Sequence, residues 1–496
     1  MDKGVLFLRK KIPIFYSALL LTGVNLLLRL VSTSYQVYIS AKIGPHGVGL
    51  LQLVLSVGSM AMVAGMAGIR TGAMYLTAEE LGRKRPQNVT WILSGCTVYS
   101  LLFSMSVSLA LYCFAPVIAE KWIDQPGCTQ ALRLYAAFVP VYCLCGMMTG
   151  YFTAANRIGT LAAVEVGEQL LSMAVTTALL LRWAGTVPEK ACSSVILGSG
   201  GAAAMTLCSL LVLRLIEKPT TGKRIPTAKR LGQVALPLAL ADDLKTGINT
   251  VENLMVPKRL GLYPGTADPL AAFGTVCGMV FPVLMFPAAI LFGLAELLIP
   301  ELARCAAAQS RGRIRYLVRR SLRISFLYGC LICGGMYLLS DGLCVGIYGN
   351  PEASIWLRRF SLMIPMLYCD AIIDAMTKGL GQQKACVRYN ILTSALDVAF
   401  LFLLLPKYGM AGYFLSFLVT HVINFCLSLR RLLRASGCRI SILRPILAVL
   451  ALILAVLAGR KLDIIAYLAV LFSLLSLFRV VGREDVRWIK GLVCKK

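Results

Sequence analysis

PIFYSALLLTGVNLLLRLVSTSYQVYI, residues 13–39, is 27 residues long, and its reading decides the fold. A bilayer helix needs about 20 mainly apolar residues, and this run exceeds that. It follows Lys10 and Lys11 and is too long for a cleaved signal sequence, so it reads as a retained membrane span. Thr22, Asn25, Arg29, Ser32 and Gln36 interrupt it at steps of three and four. On an α-helix those steps keep side chains on one face, so the span carries a single polar stripe. A charged stripe facing lipid costs several kcal/mol per charge on insertion scales of roughly 2.5–3.5 kcal/mol, so it is expected to face a shared interior.

The rest of the chain is built in the same way. Of its 496 residues 58% are hydrophobic and only 15% charged, with a mean hydropathy of +0.76. A soluble core could not hide that much apolar surface, so lipid is the solvent for much of it. Runs of span length recur at about 13–39, 48–70, 91–114, 131–151, 161–181, 193–213, 231–256, 270–299, 321–340, 354–377, 387–405, 411–429, 445–458 and 464–480. They predict an all-α polytopic membrane protein of about fourteen transmembrane helices, with no long soluble domain between them. With the N-terminus in the cytoplasm, the inner segments carry 35 Lys and Arg and the outer loops nine. That asymmetry places both termini on the cytoplasmic side and accounts for the net charge of +27 without nucleic acid as a partner. The arginine-rich stretch RCAAAQSRGRIRYLVRRSLR (304–323) then reads as a basic inner face. Asn88-Val89-Thr90 matches a glycosylation pattern but falls on the inner side.

The chain also repeats. The first and seventh runs align without a gap at an offset of 217, setting Asn25 on Asp242, Ser32 on Asn249, Gln36 on Asn253 and Gly44 on Gly261. EELGR (79–83) falls on PELAR (300–304) at an offset of 221. The implied plan is an N-terminal lobe of six spans (1–215), a C-terminal lobe of six (216–434), and an appended helix pair with a basic tail (435–496). An even span number gives the two lobes the same orientation, related by an axis along the membrane normal. In the seventh run Asp242, Lys245, Asn249 and Glu252 form a second stripe, with Asn253 alongside. Two stripes on equivalent helices predict a hydrated central cleft lined by Asn25, Arg29, Ser32, Gln36, Asp242, Lys245, Asn249, Glu252 and Asn253. The alternative is that these groups only clamp the bundle, for example by an Asp242–Lys245 pair. Arg29 has no acidic residue within its own span, and a guanidinium suits a phosphate bidentately.

Other polar groups within spans are weaker signals. Glu165 and Glu168 share a face of the fifth run, Asp370, Asp374 and Lys378 share one in the tenth, and Asp397 lies in the eleventh. Each carboxylate is a candidate for cation or proton coupling, or a partner for a nearby cation or backbone group. Cys330 and Cys333 form C-x-x-C within an apolar run without a second ligand pair and read as small apolar packing groups. With only His46 and His421 present, a histidine-based metal site or catalytic triad is not expected. Glycines in GMAG (65–68) and GSGG (198–201) suit close helix packing, and Pro237, Pro282 and Pro287 are candidate kinks. No outer loop has the size a catalytic domain would need, and no cofactor is called for.

SAKIGPHGVGLLQLVLSV (40–57), AGIRTGAMYLTAEELGR (67–83), TGYFTAANRIGTLAAVEVGEQLL (149–171), FPVLMFPAAILFGLAELLIPELA (281–303) and KGLGQQKACVRYNI (378–391) are similar in order and spacing to one family. They resemble the polysaccharide-flippase branch of the multidrug/oligosaccharidyl-lipid/polysaccharide exporter superfamily, and within it the stage V sporulation protein B group. The resemblance implies a MATE-like fold of two six-helix lobes, with two extra helices in the lipid II flippases. It implies alternating-access flipping of an undecaprenyl-diphosphate-linked sugar, lipid II or a related polysaccharide precursor, across the bacterial cytoplasmic membrane for peptidoglycan, here for spore cortex. Arg29 matches a cavity arginine of the lipid II flippases. The expected partners are the lipid-linked oligosaccharide, membrane lipids and envelope-synthesis proteins. Two other functions fit the same architecture: a cation-coupled drug exporter, and a non-transporting scaffold of an envelope-synthesis complex.

Overall fold

The structure is a computed structural model and describes residues 14–83, 85–155, 157–184, 187–216, 227–438, 443–461 and 464–477. Among them all regular structure is helical. The long helices are α1 (Ile14–Met66), α2 (Ile69–Gly82), α3 (Val89–Val117), α4 (Thr129–Ala154), α5 (Ile158–Leu179), α6 (Pro188–Ile216) and α7 (Thr227–Leu260). Next come α8 (Pro269–Gly274), a π-helical turn at Thr275–Val280, α9 (Phe281–Met285), α10 (Ala289–Ala307), α11 (Arg311–Tyr348), α12 (Pro351–Ser361) and α13 (Ile364–Gly379). The chain continues through α14 (Gln383–Tyr408), α15 (Met410–Ser436), α16 (Leu443–Lys461) and α17 (Ile464–Leu477). Every one of the fourteen apolar runs has a helical counterpart here. Among the described residues eight helices are long and apolar enough to cross a membrane, or up to ten when each bent pair counts as one span. Large apolar side chains such as Leu109 (65% exposed) and Leu215 (69%) stand outward, which only a lipid solvent tolerates at this density.

The helix ends have local causes. Within α1, Gly44 adopts φ +78°, the left-handed region that favours glycine, and Pro45 restarts the helix beyond it. The first two apolar runs are therefore two arms of one element. Gly261, the repeat partner of Gly44, likewise follows the last residue of α7. The second repeat segment shows the same parallel: Glu80 pairs with Arg83 at 3.9 Å, and Glu301 with Arg304 at 3.6 Å. At the α11–α12 junction Gly349 (φ +62°) closes one helix, and the Asn350 side chain accepts from the Glu352 and Ala353 N–H groups to open the next. The eighth apolar run bends by 65° between α9 and α10, at the segment holding Pro287, and the tenth bends by 60° between α12 and α13. Pro237 lies within α7, a single helix.

Helix contacts divide the chain into two compact units. Residues 1–274 with 397–412 form one, and 275–396 with 413–496 the other. This grouping attaches α7 and α8 to the first six spans, whereas a division by chain repeat would start a new lobe at 216. The first unit is cored by Ile69, Leu76, Ile92, Phe152, Leu231 and Ala235, drawn from α2, α3, α4 and α7. Its helices approach closely: a Cβ at Gly198 would lie 2.9 Å from the Thr176 backbone nitrogen on α5. In the second unit, Phe360 of α12 sits among Phe281, Phe414 and Phe417. Tyr368 of α13 donates to Leu284 O at 2.8 Å, and Tyr467 of α17 donates to Leu331 O of α11 at 2.8 Å. The Tyr467 bond ties the C-terminal helix pair to the second unit. Cys330 and Cys333 are buried in α11 beneath that contact.

Candidate functional site

The first arm of α1 is held against α5 by Tyr35, whose hydroxyl donates to Met173 O at 2.9 Å and meets Thr177 Oγ1 at 2.9 Å. Helical spacing then sets Arg29, Ser32 and Gln36 on a separate face, and all three are exposed. The side chain of Asn25 lies outside the described residues. On α7, Asp242, Lys245 and Asn249 are also exposed. Among the described residues neither Asp242 nor Lys245 takes an ion-pair partner, so the intrahelical clamp open to them is not made.

Further along α7 the stripe turns inward. Asn253 Nδ2 donates to Ser56 Oγ at 2.9 Å, and Thr250 Oγ1 donates to Ser56 O at 3.1 Å, seating this end on the second arm of α1. Glu252 is half-buried and its carboxyl lies beside that of Asp397, which is 5% exposed on α14. The first unit thus brings together a residue read as cleft lining and one read as a coupling group. Nothing local in either segment signals the pairing. Two carboxyls this close in a low-dielectric bundle repel each other when both are charged, so the place suits a shared proton or a bound cation.

The other acidic candidates have more ordinary company. Glu165 and Glu168 are half-buried on α5, Glu165 within reach of the Arg70 charge and Glu168 near Thr206. In the second unit Asp370 accepts from Asn424 Nδ2 at 3.1 Å, and Asp374 pairs with Lys378 at 2.5 Å. Among the described residues no group of three His, Cys, Asp or Glu side chains could hold a metal ion.

Both ends of α7 are clasped by charge. At its start Arg230 reaches Glu79 at 2.6 Å and Glu80 at 3.4 Å on α2, and Glu80, buried, also accepts from Asn88 Nδ2 at 3.0 Å. At its end Lys258 pairs with Asp124 at 3.4 Å. Just beyond, Asp268 opens α8 by accepting from the Ala271 N–H at 2.9 Å and meets His46 Nδ1 at 2.8 Å. These clasps join residues more than 130 positions apart, and nothing local in either partner's segment signals the pairing.

Comparison with known proteins gives this arrangement a context. Residues 21–180 match the family described as MatE. The chain is 22% identical over 413 residues to stage V sporulation protein B of Bacillus subtilis (strain 168), covering 79% of this chain and 78% of that protein. Its fold is similar to that of the lipid II flippase MurJ in an inward closed conformation (TM-score 0.66, 13% identity, 92% of this chain and 98% of that one). It is also similar to an inward-facing multidrug resistance MATE family transporter of the MOP superfamily (TM-score 0.65, 12% identity, 84% and 99%). The fold is thus shared with a lipid flippase and a multidrug transporter.

Proposed function

We propose that the chain belongs to the multidrug/oligosaccharidyl-lipid/polysaccharide exporter superfamily and is a flippase for a lipid-linked sugar precursor. The observation that carries this reading is the pair of cationic side chains on repeat-equivalent helices of one unit. Arg29 is exposed on α1, and Lys245 is exposed on α7 without an ion-pair partner among the described residues. A diphosphate needs such cations, a guanidinium fork and an ammonium point charge, and a cationic cargo would be repelled by them. In this reading the diphosphate rests between Arg29 and Lys245. Ser32, Gln36, Asn249 and Asn253 bond the sugar hydroxyls, and the polyprenyl chain stays in lipid. The six-helix lobes (1–215 and 216–434) rock about this site so that it opens alternately to each side. No covalent chemistry is required. The likeness to stage V sporulation protein B and to MurJ supports an undecaprenyl-diphosphate cargo of the peptidoglycan type, serving the spore cortex, in the cytoplasmic membrane. Direction comes from the Glu252–Asp397 pair, whose proton or cation is exchanged as the site changes sides.

The test is transport of a fluorescent undecaprenyl-diphosphate sugar in vesicles reconstituted with the purified protein. Arg29→Ala should slow it at least ten-fold while inserting normally; wild-type flipping by that variant would remove the assigned role. A second reading, a cation-coupled drug exporter, is supported by the fold's likeness to MATE transporters and by the same carboxyl pair. It requires that the wild-type protein expel cationic dyes from cells and that Arg29→Ala leave this unimpaired.

A further inference from the structure

The proposed flippase site leaves much of the arginine content unused. Six arginines crowd the first half of α11 (Arg311, Arg313, Arg315, Arg319, Arg320 and Arg323), and three more close α15 (Arg430, Arg431 and Arg434). The sequence has no carboxylate between Glu301 and Asp341, and none between Asp397 and Asp463. The two basic helix ends meet: Arg319 Nε donates to Cys438 Sγ at 3.2 Å, and that thiol contacts Arg315 O. Arg431 turns inward and donates to Gln382.

Arg430 and Arg434 behave differently. They stand one turn apart on α15, both exposed, and among the described residues neither has a hydrogen-bond, ion-pair or aromatic partner. The opposite face of α15 is the packed one, with Ser428, Leu432 and Ser436 buried. An open depression of about 400 Å³ on this side of α15 is lined by Cys426, Leu429, Arg430, Leu433, Arg434 and Cys438. Its lining combines apolar side chains with two arginines. That combination rejects both a purely apolar occupant and a small hydrated anion. It fits a molecule with a phosphate at one end and a hydrocarbon chain at the other.

We propose that this groove on α15 is a binding site for an anionic glycerophospholipid. The headgroup phosphate is held between the Arg430 and Arg434 guanidiniums, and the first part of an acyl chain lies along Leu429 and Leu433. Charge complementarity supports the assignment: among the described residues neither Arg430 nor Arg434 is paired with a carboxylate, and a membrane phosphate supplies the anion. Arginines that merely snorkel to the headgroup layer would show no preference for this pair over other inner-face arginines, and that difference makes the site testable.

Native mass spectrometry of the full-length protein in detergent, titrated with phosphatidylglycerol or phosphatidylcholine, reads the site directly. Phosphatidylglycerol should bind at least ten-fold more tightly than phosphatidylcholine. Arg430→Gln with Arg434→Gln should abolish that preference, and Arg85→Gln with Arg304→Gln, which removes two charges outside the groove, should leave it intact. Leu433→Trp keeps both arginines but fills the depression, and it should also lose the preference. Three results would overturn the proposal: an equal loss in the two arginine pairs, unchanged binding in Leu433→Trp, or equal competition by soluble glycerol 3-phosphate.

Discussion

Glu252 and the buried Asp397 put two carboxyls side by side inside the bundle, and in the proposed mechanism they share the coupling proton or cation. Neutralising one member removes the need for that ion. Asp397→Asn should therefore insert and fold with an unchanged or higher unfolding temperature, yet transport should no longer respond to an imposed ion or pH gradient. A vesicle assay with and without the gradient measures this, and wild-type gradient dependence in the variant would dissociate the pair from coupling. Asp268 shows the opposite electrostatic situation outside the spans. Burial alone would lift its carboxyl, but the Ala271 N–H, His46 and the Leu270 N–H outweigh it and hold the group below the usual carboxylate range. A depressed folded-state value contributes stability above the unfolded value of about 3.9, and that contribution fades as pH falls through the lower folded one. Asp268→Asn should accordingly flatten the acid limb of the stability curve below about pH 4, followed by thermal unfolding at stepped pH.

Helix α7 is the element on which the proposed mechanism turns. It carries one polar stripe, seats Asn253 and Thr250 on Ser56, and is clasped at its start by Arg230 to Glu79 and Glu80. Closeness at that end is also steric: Gly68, at φ +72°, lets α2 begin where a Cβ would lie 2.4 Å from Ala235 O. Any movement carrying α7 away from α2 has to break the Arg230 clasp. The Glu80 side chain is 2% exposed and that of Arg230 29%, so this is a largely desolvated pair rather than a surface one. A double-mutant cycle with Arg230→Gln and Glu80→Gln should give a coupling energy of roughly 1–3 kcal/mol by thermal unfolding. A value near zero would mean that Asn88 and Arg83 alone hold Glu80.

The whole molecule is organised by charge as well as hydropathy. An excess of 35 inner over nine outer Lys and Arg predicts cytoplasmic termini at both ends, consistent with an even number of crossings. Fusions test this: a fluorescent protein at the C-terminus should glow, and a periplasmic phosphatase at the same place should stay inactive. The reverse pattern would invert the orientation and, with it, the assignment of inner and outer openings. The contact-defined units do not follow the repeat, because α7 packs on α1, α2 and α3 while the C-terminal helix pair packs on α11.

Much of this was legible along the chain. Apolar length marks each helix, the 3.6-residue period puts Arg29, Ser32 and Gln36 on one face, and glycine at 44 and 261 marks the ends of equivalent helices. Those are properties of neighbouring residues in a lipid solvent, and they need no knowledge of what lies across the bundle. Pro287 signalled the bend at 286–288, but the bend at 362–363, the meeting of Glu252 with Asp397, the Arg230 clasp and the depression on α15 were not legible in the same way. Each arises where helices far apart in the chain pack face to face, and which side chains then meet depends on rotation and register of whole helices. Composition and period leave those quantities open, and close packing between distant segments sets them.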